Sequence, residues 1–510
     1  MLVKVSSAAL VGLSAIPITV EVDVASRGFP TFDIVGLPNK AIAESKQRIR
    51  TALLNSGINF PPARITINLA PADVPKNGSY YDLPIALGII CCLLKVEFPK
   101  EILVLGELSL DGTVRHIKGI PIFFEFAKNQ HATGLLLPKN AQLYQEFFNI
   151  FSEVYIVESL TALHAHLQGT YKLSKCIGLS TKPTEFDVTD KKVPLNFTAS
   201  AYTSIIGQYK AKHALHIAAA GNHNLLLYGS PGVGKTLLAK SLLDLLPPLS
   251  SEEKLEVMKI SSLQNTRPIF NSKELFRSPH HTSSHISIIG GGAALKPGEV
   301  TKAHNGVLFL DELPEFSRSV IESLREPIES GTVRLARASG TSVFPCNFLL
   351  VAAMNPCPCG YSTHPSIDCK CSVSERTRYT KKISGPILDR FDMLVHLTPV
   401  DLSTKRLPSA VNFQELLNKI SNARYKQKDR YKNYSFSTNA KLPFNLITDL
   451  LSVSSEAYDV LNELKKKYQF SMRIYFKLIK LGQTIADLED SKTIVDKHIL
   501  EAWQFRAKTF

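Results

Sequence analysis

The chain has 510 residues, with 59 lysines and arginines against 45 aspartates and glutamates. Its formal net charge of +14 suits a partner with a phosphate backbone, although many housekeeping enzymes are equally basic. The longest apolar run, Leu83–Leu94, is interrupted by Pro84 and Gly88 and is shorter than the roughly 20 residues of a membrane-spanning helix. The eight cysteines are not spaced as a disulfide framework, so a membrane protein and a disulfide-rich secreted protein are both excluded.

The first residues lead directly into a strand pattern and lack the order of segments typical of a secretion signal, so we expect a cytoplasmic protein. Alternation of apolar and polar residues predicts a strand over Ile18–Val24. A helix over Lys40–Leu54 and a strand over Ile65–Leu69 are expected to follow it, and Leu83–Leu94 is expected to form a buried helix. These elements predict an α/β domain over residues 1–170, which is about a third of the chain.

Residues 171–199 lose this periodicity and are interpreted as a linker. Residues 200–400 then alternate apolar strands with longer amphipathic stretches, a pattern typical of a parallel sheet covered on both faces. Residues 401–510 are helical in pattern, most clearly over Leu461–Ile485, and hold 19 basic against 12 acidic side chains. This basic helical end is either a DNA-facing surface or simply a solvated one.

A glycine-rich loop follows the first apolar strand of the central region and fits the pattern G-x-x-x-x-G-K-[ST]. Its glycines would let the backbone fold around the phosphates of ATP at a helix N-terminus. Lys235 would neutralise the β- and γ-phosphates, and Thr236 would bind Mg²⁺. The predicted nucleotide-binding residues of the loop are Gly229, Ser230, Pro231, Gly232, Val233, Gly234, Lys235 and Thr236.

A second apolar strand ends in Asp311 and Glu312. Because the carboxyl ends of parallel strands meet at one edge of a sheet, both carboxylates are expected beside the phosphate-binding loop. Asp311 would hold the magnesium ion through water, and Glu312 would orient and activate the attacking water. Alone, such a sequence is as often an acidic turn, but together with the loop it indicates ATP hydrolysis.

Three further polar residues are candidates for contact with the γ-phosphate. Asn355 ends a third apolar strand and would sense that phosphate, whereas the alternative is a turn-forming Asn-Pro. Arg390 would stabilise charge on the transferring phosphoryl group across a subunit boundary, or else form a salt bridge to Asp389 or Asp392. Arg473, which opens the last strong helix, would likewise reach the γ-phosphate.

Four cysteines lie close together in two C-x-C pairs separated by nine residues. Cys357, Cys359, Cys369 and Cys371 would close a tetrahedral zinc site, and His364 would be able to replace one of them. The alternative is a set of free or redox-active thiols. A metal is also considered for the histidines at 280, 281 and 285, where loop packing is the preferred interpretation.

Taken together, these motifs resemble the magnesium-chelatase-like branch of AAA+ ATPases, and in particular its ComM/YifB group. The resemblance extends from end to end and includes motifs beyond the phosphate-binding loop. These are Gly36–Asn39, Asn68–Asp73, Asp82–Ala86, Gly207-Gln208, Arg277–Thr282, Gly290–Gly292, Leu324–Pro327, Asn355–Gly360 and Ile383–Pro386.

The resemblance implies an AAA+ parallel-sheet P-loop core, a C-terminal helical lid and a hexameric ring with ATP sites between subunits. It also implies branch migration of DNA recombination intermediates during natural transformation. Ile206, Gly207 and Gln208 would lie near the adenine. Asn355 would be sensor 1, Arg390 the arginine finger and Arg473 sensor 2. Relatives more often have Ser-Ala-Arg-Gly where this chain has Ser471–Ile474, so the packing around Arg473 is expected to differ.

The first domain resembles the α+β proteolytic domain of Lon-type proteases. Tyr80 takes the place of the catalytic serine, and Pro121 the place of the lysine. Neither residue can replace a Ser–Lys pair, although Ser79 and Lys118 lie close by in sequence. We therefore expect an inactive, structural or DNA-contacting domain.

A hairpin is predicted over residues 333–344. In related motors a hairpin at this place in the chain points into the pore of the ring. Arg334 and Arg337 would then grip DNA phosphates without reading sequence, or else are ordinary surface charges. The sequence leaves four functions open: a DNA-dependent motor, an ATPase acting on a protein partner, a protease, and a non-catalytic ATP-binding scaffold.

Overall fold

The structure is a computed structural model and describes residues 1–25, 29–36, 40–72, 76, 78–176, 201–264, 275–292, 296–337, 340–400 and 412–506. Most of the predicted linker, and parts of the motifs at 36–39 and 68–73, lie outside the described residues. The chain divides into two compact units. The first comprises Met1–Asp190, Lys254–Phe270 and Arg334–Phe344, and the second comprises Lys191–Glu253, Asn271–Val333 and Pro345–Phe510.

The amino-terminal part of the first unit is a mixed sheet with helices packed on it. Its strands are β1 (Leu2–Val11), β2 (Ser14–Ala25), β3 (Thr31–Val35), β4 (Arg64–Ala70), β5 (Ile102–Val104), β6 (Glu107–Leu108), β7 (Val114–Arg115), β8 (Gly134–Pro138) and β9 (Glu153–Val157). Its helices are α1 (Lys40–Asn55), α2 (Asp82–Leu94), α3 (Ile120–Asn129) and α4 (Leu160–Leu167). The main sheet has the strand order β3-β4-β2-β1-β5-β8-β9.

The predicted strand and helices of this domain are confirmed. On β2, Ile18, Val20 and Val22 are fully buried, as the alternating pattern requires. The side chains of α2 are buried from Asp82 to Cys92, which accounts for a helix that is apolar on all sides. The buried Asp82 carboxylate is paired with Arg48 at an Nε–Oδ2 distance of 2.6 Å.

Two segments from later in the chain also belong to the first unit. One is the greater part of a helix, α8 (Ser251–Ser262), where Lys259 pairs with Glu125 at 2.6 Å and Met258 packs with the aromatic residues of α3. The other is most of the predicted hairpin, whose residue Ser342 lies against the β1–β2 turn at Gly12. Neither association could be predicted from local sequence patterns, because neither segment is continuous in sequence with the first domain.

The second unit is built on a sheet that follows the predicted pattern. Strands after residue 200 are β10 (Leu225–Gly229), β11 (Phe276–Arg277), β12 (Gly290–Gly291), β13 (Lys296–Pro297), β14 (Val307–Leu310), β15 (Thr332–Arg337), β16 (Gly340–Pro345), β17 (Leu349–Met354) and β18 (Met393–Leu397). The five-stranded sheet has the order β11-β14-β17-β10-β18, and all of its neighbouring strands are parallel. Every residue of β10, β14 and β17 is buried.

The helices after residue 200 cover this sheet or form the carboxyl-terminal region, except α8, most of which belongs to the first unit. They are α5 (Ala201–Ser204), α6 (Tyr209–Gly221), α7 (Lys235–Ser241), α8 (Ser251–Ser262), α9 (His285–Ile289), α10 (Glu299–Lys302), α11 (Arg318–Ser323), α12 (Arg325–Ser330), α13 (Val373–Thr380), α14 (Gly385–Leu388), α15 (Phe413–Arg430), α16 (Ile447–Leu450), α17 (Ser455–Tyr468), α18 (Met472–Leu488) and α19 (Asp496–Gln504). Among the described helices, none has both the length and the apolar character needed to cross a bilayer.

The helical segment expected over Leu461–Ile485 is two helices and not one. Gln469 adopts a left-handed conformation with φ of +49° and ends α17, where its N–H donates to the carbonyl of Lys465. Ser471 is extended and precedes α18. Arg473, which was expected to open the last strong helix, is the second residue of α18.

Candidate nucleotide-binding and motor site

The phosphate-binding loop connects β10 to α7 at the carboxyl edge of the five-stranded sheet. Gly232 and Gly234 have φ of +80° and +91°, a region that residues with a β-carbon rarely adopt. A β-carbon on Gly229 would lie 2.4 Å from the carbonyl oxygen of Leu397, so strand packing also requires glycine there. The hydroxyl of Ser230 is buried and has no hydrogen-bond partner among the described residues.

Lys235 lies at the centre of this loop. Its ammonium donates to the carbonyl oxygens of Gly229 at 2.6 Å and Ser230 at 2.9 Å, and to the amide oxygen of Asn355 at 2.9 Å. Burial lowers the pKa of Lys235, and the carboxylates of Asp311 and Glu312 oppose that shift. All three partners are neutral acceptors, so a phosphate with its full charge would compete successfully for the ammonium.

Thr236 and Asp311 meet where a magnesium ion is expected. The hydroxyl of Thr236 donates to the Asp311 carboxylate, and the Oγ1–Oδ2 distance is 2.8 Å. Magnesium in proteins is bound by oxygen atoms, usually one or two from the protein together with several waters. A hydroxyl that would bind the ion directly, beside a carboxylate that would hold one of its waters, therefore fits a magnesium site.

Glu312 follows Asp311 in a left-handed conformation with φ of +53°. Its carboxylate is about half exposed and lies 3.2 Å from Nδ1 of His281. His281 stacks on His280 with ring centroids 4.2 Å apart. This contact with Glu312 was not foreseen, since the histidines were considered only as metal ligands or as loop packing.

Gln208 and Gly207 lie on the other side of the loop. The Gln208 side-chain amide donates to the carbonyl of Thr398 at 2.8 Å, and at 3.4 Å to that of Val233 in the loop itself. Beside them, Ile206 is 54% exposed and Tyr209 is 69% exposed. Two exposed apolar side chains next to a phosphate-binding loop form a surface suited to a planar base.

Arg390 and Arg473 lie at the opposite edge of the same sheet. Arg390 precedes the amino end of β18, where its carbonyl accepts a hydrogen bond of 3.1 Å from Asn224, the residue before β10. Its guanidinium contacts Oε1 of Glu329 at 2.6 Å, and Arg473 contacts the same oxygen. The partner of Arg390 is thus Glu329, and not Asp389 or Asp392 as the alternative interpretation proposed.

These arginines line a cavity of about 310 Å³ together with Lys441, Lys477 and Lys480. Lys477 pairs with Asp392 at 2.7 Å. Burial by itself would raise the pKa of Asp392, but Lys477 and His223 lower it far below its ordinary value. This ion pair lies at the start of β18. The five cations that line the cavity outnumber its three carboxylates, which belong to Glu329, Asp389 and Asp392.

Comparison with known proteins bears on all parts of the chain. Residues 201–405 match the family model for magnesium chelatase, subunit ChlI, residues 20–141 that for subunit ChlI of Mg-chelatase, and residues 412–506 that for the subunit's C-terminal region. The chain is 38% identical to the YifB protein of Escherichia coli, over 99% of this chain and 96% of YifB. It is 37% identical to the competence protein ComM of Haemophilus influenzae, over 99% of this chain and 97% of ComM.

The chain belongs to the ComM/YifB group of magnesium-chelatase-like AAA+ ATPases. The resemblance stated from the sequence motifs is therefore confirmed. The fold agrees with the family as well, with an amino-terminal α/β domain, a parallel-sheet core and a helical carboxyl-terminal region.

Two basic features of this family member are candidates for contact with a polyanion. Arg334 is exposed on β15, whereas the side chain of Arg337 lies outside the described residues. A groove of about 770 Å³ is bounded by α13 and the segment after β14. Its charged lining residues are Glu315, Arg318, Arg378, Lys381 and Lys382.

The first domain presents no Ser–Lys pair at the positions considered for proteolysis. The hydroxyl of Ser79 donates to the Glu107 carboxylate, and Lys118 is exposed. The ring of Tyr80 packs edge-on against Phe123 at 5.7 Å, and burial raises its pKa. A serine bonded to a carboxylate is not activated by an amine, so these contacts argue against a protease.

Proposed function

We propose that the protein is an ATP-driven motor that hydrolyses ATP with Mg²⁺ at the carboxyl edge of its five-stranded sheet. The observation that supports this most strongly is the convergence of Lys235, Asn355, Thr236 and Asp311 from three strands of that sheet. Glu312 lies next to Asp311 with a carboxylate open to solvent. Ring-forming ATPases of this class are expected to work in the cytoplasm.

The residues of the site would divide the chemistry as follows. Backbone N–H groups of the loop and the ammonium of Lys235 bind the phosphates, and Gly207 and Gln208 flank the base. When bound, Mg²⁺ neutralises charge on the β- and γ-phosphates. Glu312 accepts the proton of the attacking water as its oxygen bonds to the γ-phosphorus and the bond to ADP breaks. Asn355 orients that water or the γ-phosphate.

Arg390 and Arg473 would complete the site of a neighbouring subunit. The strand β10 has five residues and spans about 17 Å at about 3.3 Å per residue. The phosphate-binding loop is at one end of β10 and Arg390 is at the other. Both arginines therefore face away from the ATP site of their own chain, so we propose a closed ring, hexameric as in the family, with ATP between subunits.

The substrate that we propose is branched DNA, on which the ring would drive branch migration of recombination intermediates in natural transformation. Three observations support DNA: the similarity to a competence protein, the net charge of +14, and the basic groove beside α13. Arg334 and Arg337 would add phosphate contacts. Such contacts do not read sequence and therefore allow translocation.

A second candidate is an ATPase that remodels a protein partner. It is favoured by the match of all three family models to a magnesium-chelatase subunit. The two candidates share the same ATP chemistry and differ in what stimulates hydrolysis.

Unwinding assays on labelled three- and four-way DNA junctions, with and without ATP, test the proposal. We expect ATP-dependent strand exchange by the natural chain and none by the Lys235→Ala variant. Hydrolysis should be stimulated by forked DNA more than by duplex DNA. Turnover that no DNA structure stimulates, and junctions that stay intact, would reject the DNA motor in favour of a protein partner.

The groove can be tested separately. The double variant Arg378→Ala/Lys381→Ala removes two exposed cations from it, and Lys466→Ala/Lys467→Ala removes two exposed cations from α17 as a matched control. We expect only the groove variant to weaken DNA binding and to reduce its dependence on salt concentration. Equal effects of both pairs would mean that the groove is not a DNA surface.

A further inference from the structure

Four thiols come together directly after the strand that ends in Asn355. The sulfur of Cys357 lies 3.4 Å from that of Cys359 and 3.6 Å from that of Cys369, and Cys359 and Cys369 are 3.5 Å apart. The sulfur of Cys371 completes the group, and all four lie within 4.8 Å of one another. The backbone N–H of Cys359 donates to the Cys371 sulfur at 3.4 Å.

These separations fit a tetrahedral metal site. With Zn–S bonds of about 2.3 Å, the sulfurs of a tetrahedral site lie about 3.8 Å apart. A disulfide requires a separation of about 2.05 Å, and all four cysteines are free thiols. Four sulfurs without a carboxylate are the donor set that selects zinc over magnesium or calcium. His364 does not replace any of the four cysteines as a ligand. Its Nδ1 accepts hydrogen bonds from the N–H groups of Ser366 and Ile367.

The segment that contains the thiols has no regular secondary structure to stabilise it. Between Asn355 and Ser372 the chain forms no helix or strand, and Ile367 is 45% exposed. A segment of this length that buries so little apolar surface gains an ordered structure most readily from a cross-link or a metal.

This segment also contacts the phosphate-binding loop. Gly360 has φ of +85°, and a β-carbon there would lie 2.6 Å from Cδ of Pro231 and 3.8 Å from Cγ of Asn355. Cys357 is two residues after Asn355, whose amide oxygen contacts Lys235. The segment with the cysteines is therefore connected to the proposed ATP site in two ways. It follows Asn355 directly in the chain, and its residue Gly360 packs against Pro231.

We propose that the four thiolates bind one zinc ion, and that this ion holds Asn355 and the loop at Pro231 in the arrangement that ATP hydrolysis requires. The zinc site stands on the sulfur geometry alone, whereas its coupling to turnover rests on the proposed ATPase function. The zinc would be structural, because four protein ligands leave no position for water or substrate.

The metal site is tested by its zinc content. Full-length protein purified without chelators should contain about one zinc per chain by plasma mass spectrometry, and a mercurial reagent should release it. The double variant Cys369→Ser/Cys371→Ser should lose the zinc, whereas Cys176→Ser, a half-buried free cysteine elsewhere, should keep it. Replacement by Co²⁺ in the natural chain should give the absorption bands of tetrahedral thiolate ligation. This last measurement does not depend on whether the variant folds.

Protein that contains no zinc after growth in zinc-supplemented medium, and that shows no cobalt bands, would overturn the metal site. Iron in place of zinc would overturn it as well. Both measurements are independent of ATP, so their outcome is separate from that of the motor proposal.

The coupling is tested by Gly360→Ala, which leaves all four cysteines in place. The added methyl group would meet Pro231, so we expect retained zinc and a fall in hydrolysis of about 10- to 100-fold, the size expected for a small displacement of reacting groups. Gly385→Ala, at a glycine with open space around it, should hydrolyse ATP normally. Full turnover by Gly360→Ala would overturn the coupling and leave the zinc site standing.

Discussion

The two edges of the five-stranded sheet carry different kinds of cation. At the carboxyl edge, Lys235 contacts two carbonyl oxygens and one amide oxygen, all of them neutral. At the amino edge, Arg390 and Arg473 share the carboxylate of Glu329. The first cation is held where an anion can take over its hydrogen bonds at little cost, whereas the second pair is already neutralised in part.

This difference indicates that the two edges act at different stages. A phosphate group can replace neutral acceptors within a single chain, so we infer that one chain is able to bind ATP at its carboxyl edge. The arginines must leave Glu329 or share it with a new anion, and the phosphates of their own chain are a strand length away. We infer that the amino edge acts only when a second chain brings its ATP to it.

The largest effect is expected at the carboxyl edge. Lys235→Ala removes the charge that faces the β- and γ-phosphates, and we expect no measurable ATP binding or hydrolysis. A titration with a fluorescent ATP analogue measures this. Lys240→Ala, also on α7 and exposed, is the control and should bind normally. Binding by Lys235→Ala within about tenfold of the natural chain would remove the phosphate-binding role from this residue.

Glu312→Gln should separate binding from chemistry at that edge. The amide keeps the size of the side chain but cannot accept the proton of water, and general-base catalysis contributes about 10²–10⁴-fold. We expect ATP to bind with unchanged affinity and to be hydrolysed slower by that factor, measured as phosphate release. Glu315→Gln changes an exposed carboxylate on the same segment and should have little effect. Normal turnover by Glu312→Gln would refute the water-activating role.

Local sequence predicted the carboxyl edge well because each of its parts follows a buried parallel strand. Strands β10, β14 and β17 end at or just before Gly229, Asp311 and Asn355. Because these strands are parallel members of one sheet, their carboxyl ends lie at the same edge. Glu329 could not be predicted in the same way. It lies in a short helix distant in sequence from both arginines, and only the tertiary fold shows that they meet on its carboxylate.

Two other features were beyond sequence reasoning for physical reasons. Gly360 is adjacent to Pro231 through a loop without periodicity, so no pattern indicates the contact. The inclusion of Arg334–Phe344 in the first compact unit depends on packing against a turn more than 300 residues earlier. By contrast, the two strands of the hairpin were predicted correctly, since strand alternation and a glycine-containing turn signal are local features of the sequence.

Arg390→Ala tests the amino edge. Loss of one preorganised hydrogen-bond donor at a reacting group lowers kcat by about 10²–10³-fold. We therefore expect the rate of ATP hydrolysis to fall by that factor. ATP binding should be normal, and so should assembly measured by sedimentation. Arg473→Ala should behave in the same way if both arginines face the neighbour's ATP. Unchanged turnover would exclude Arg390 from the site.

Mixing two inactive variants tells whether the arginines act on another chain. Lys235→Ala chains are expected not to bind ATP but retain Arg390. Arg390→Ala chains are expected to bind ATP but lack that arginine. In mixed rings some intact sites form between unlike chains, so hydrolysis should partly recover. If mixed assemblies form but hydrolysis does not recover, then the arginines of one chain do not act on ATP bound at the carboxyl edge of another chain.

The smallest effect is expected from Glu329→Gln. Glu329 is 47% exposed, and an exposed ion pair contributes about 0–1 kcal/mol, so hydrolysis should change by less than about fivefold while Arg390→Ala loses far more. Phosphate release at low and moderate salt measures the difference, with Glu326→Gln on the same helix as the control. A loss as large as that of Arg390→Ala would mean that Glu329 positions the arginines during hydrolysis. In that case the Glu329 carboxylate would be part of the assembled site. The arginines of the amino edge would then be held in their working geometry before a second chain binds, as Lys235 is at the carboxyl edge.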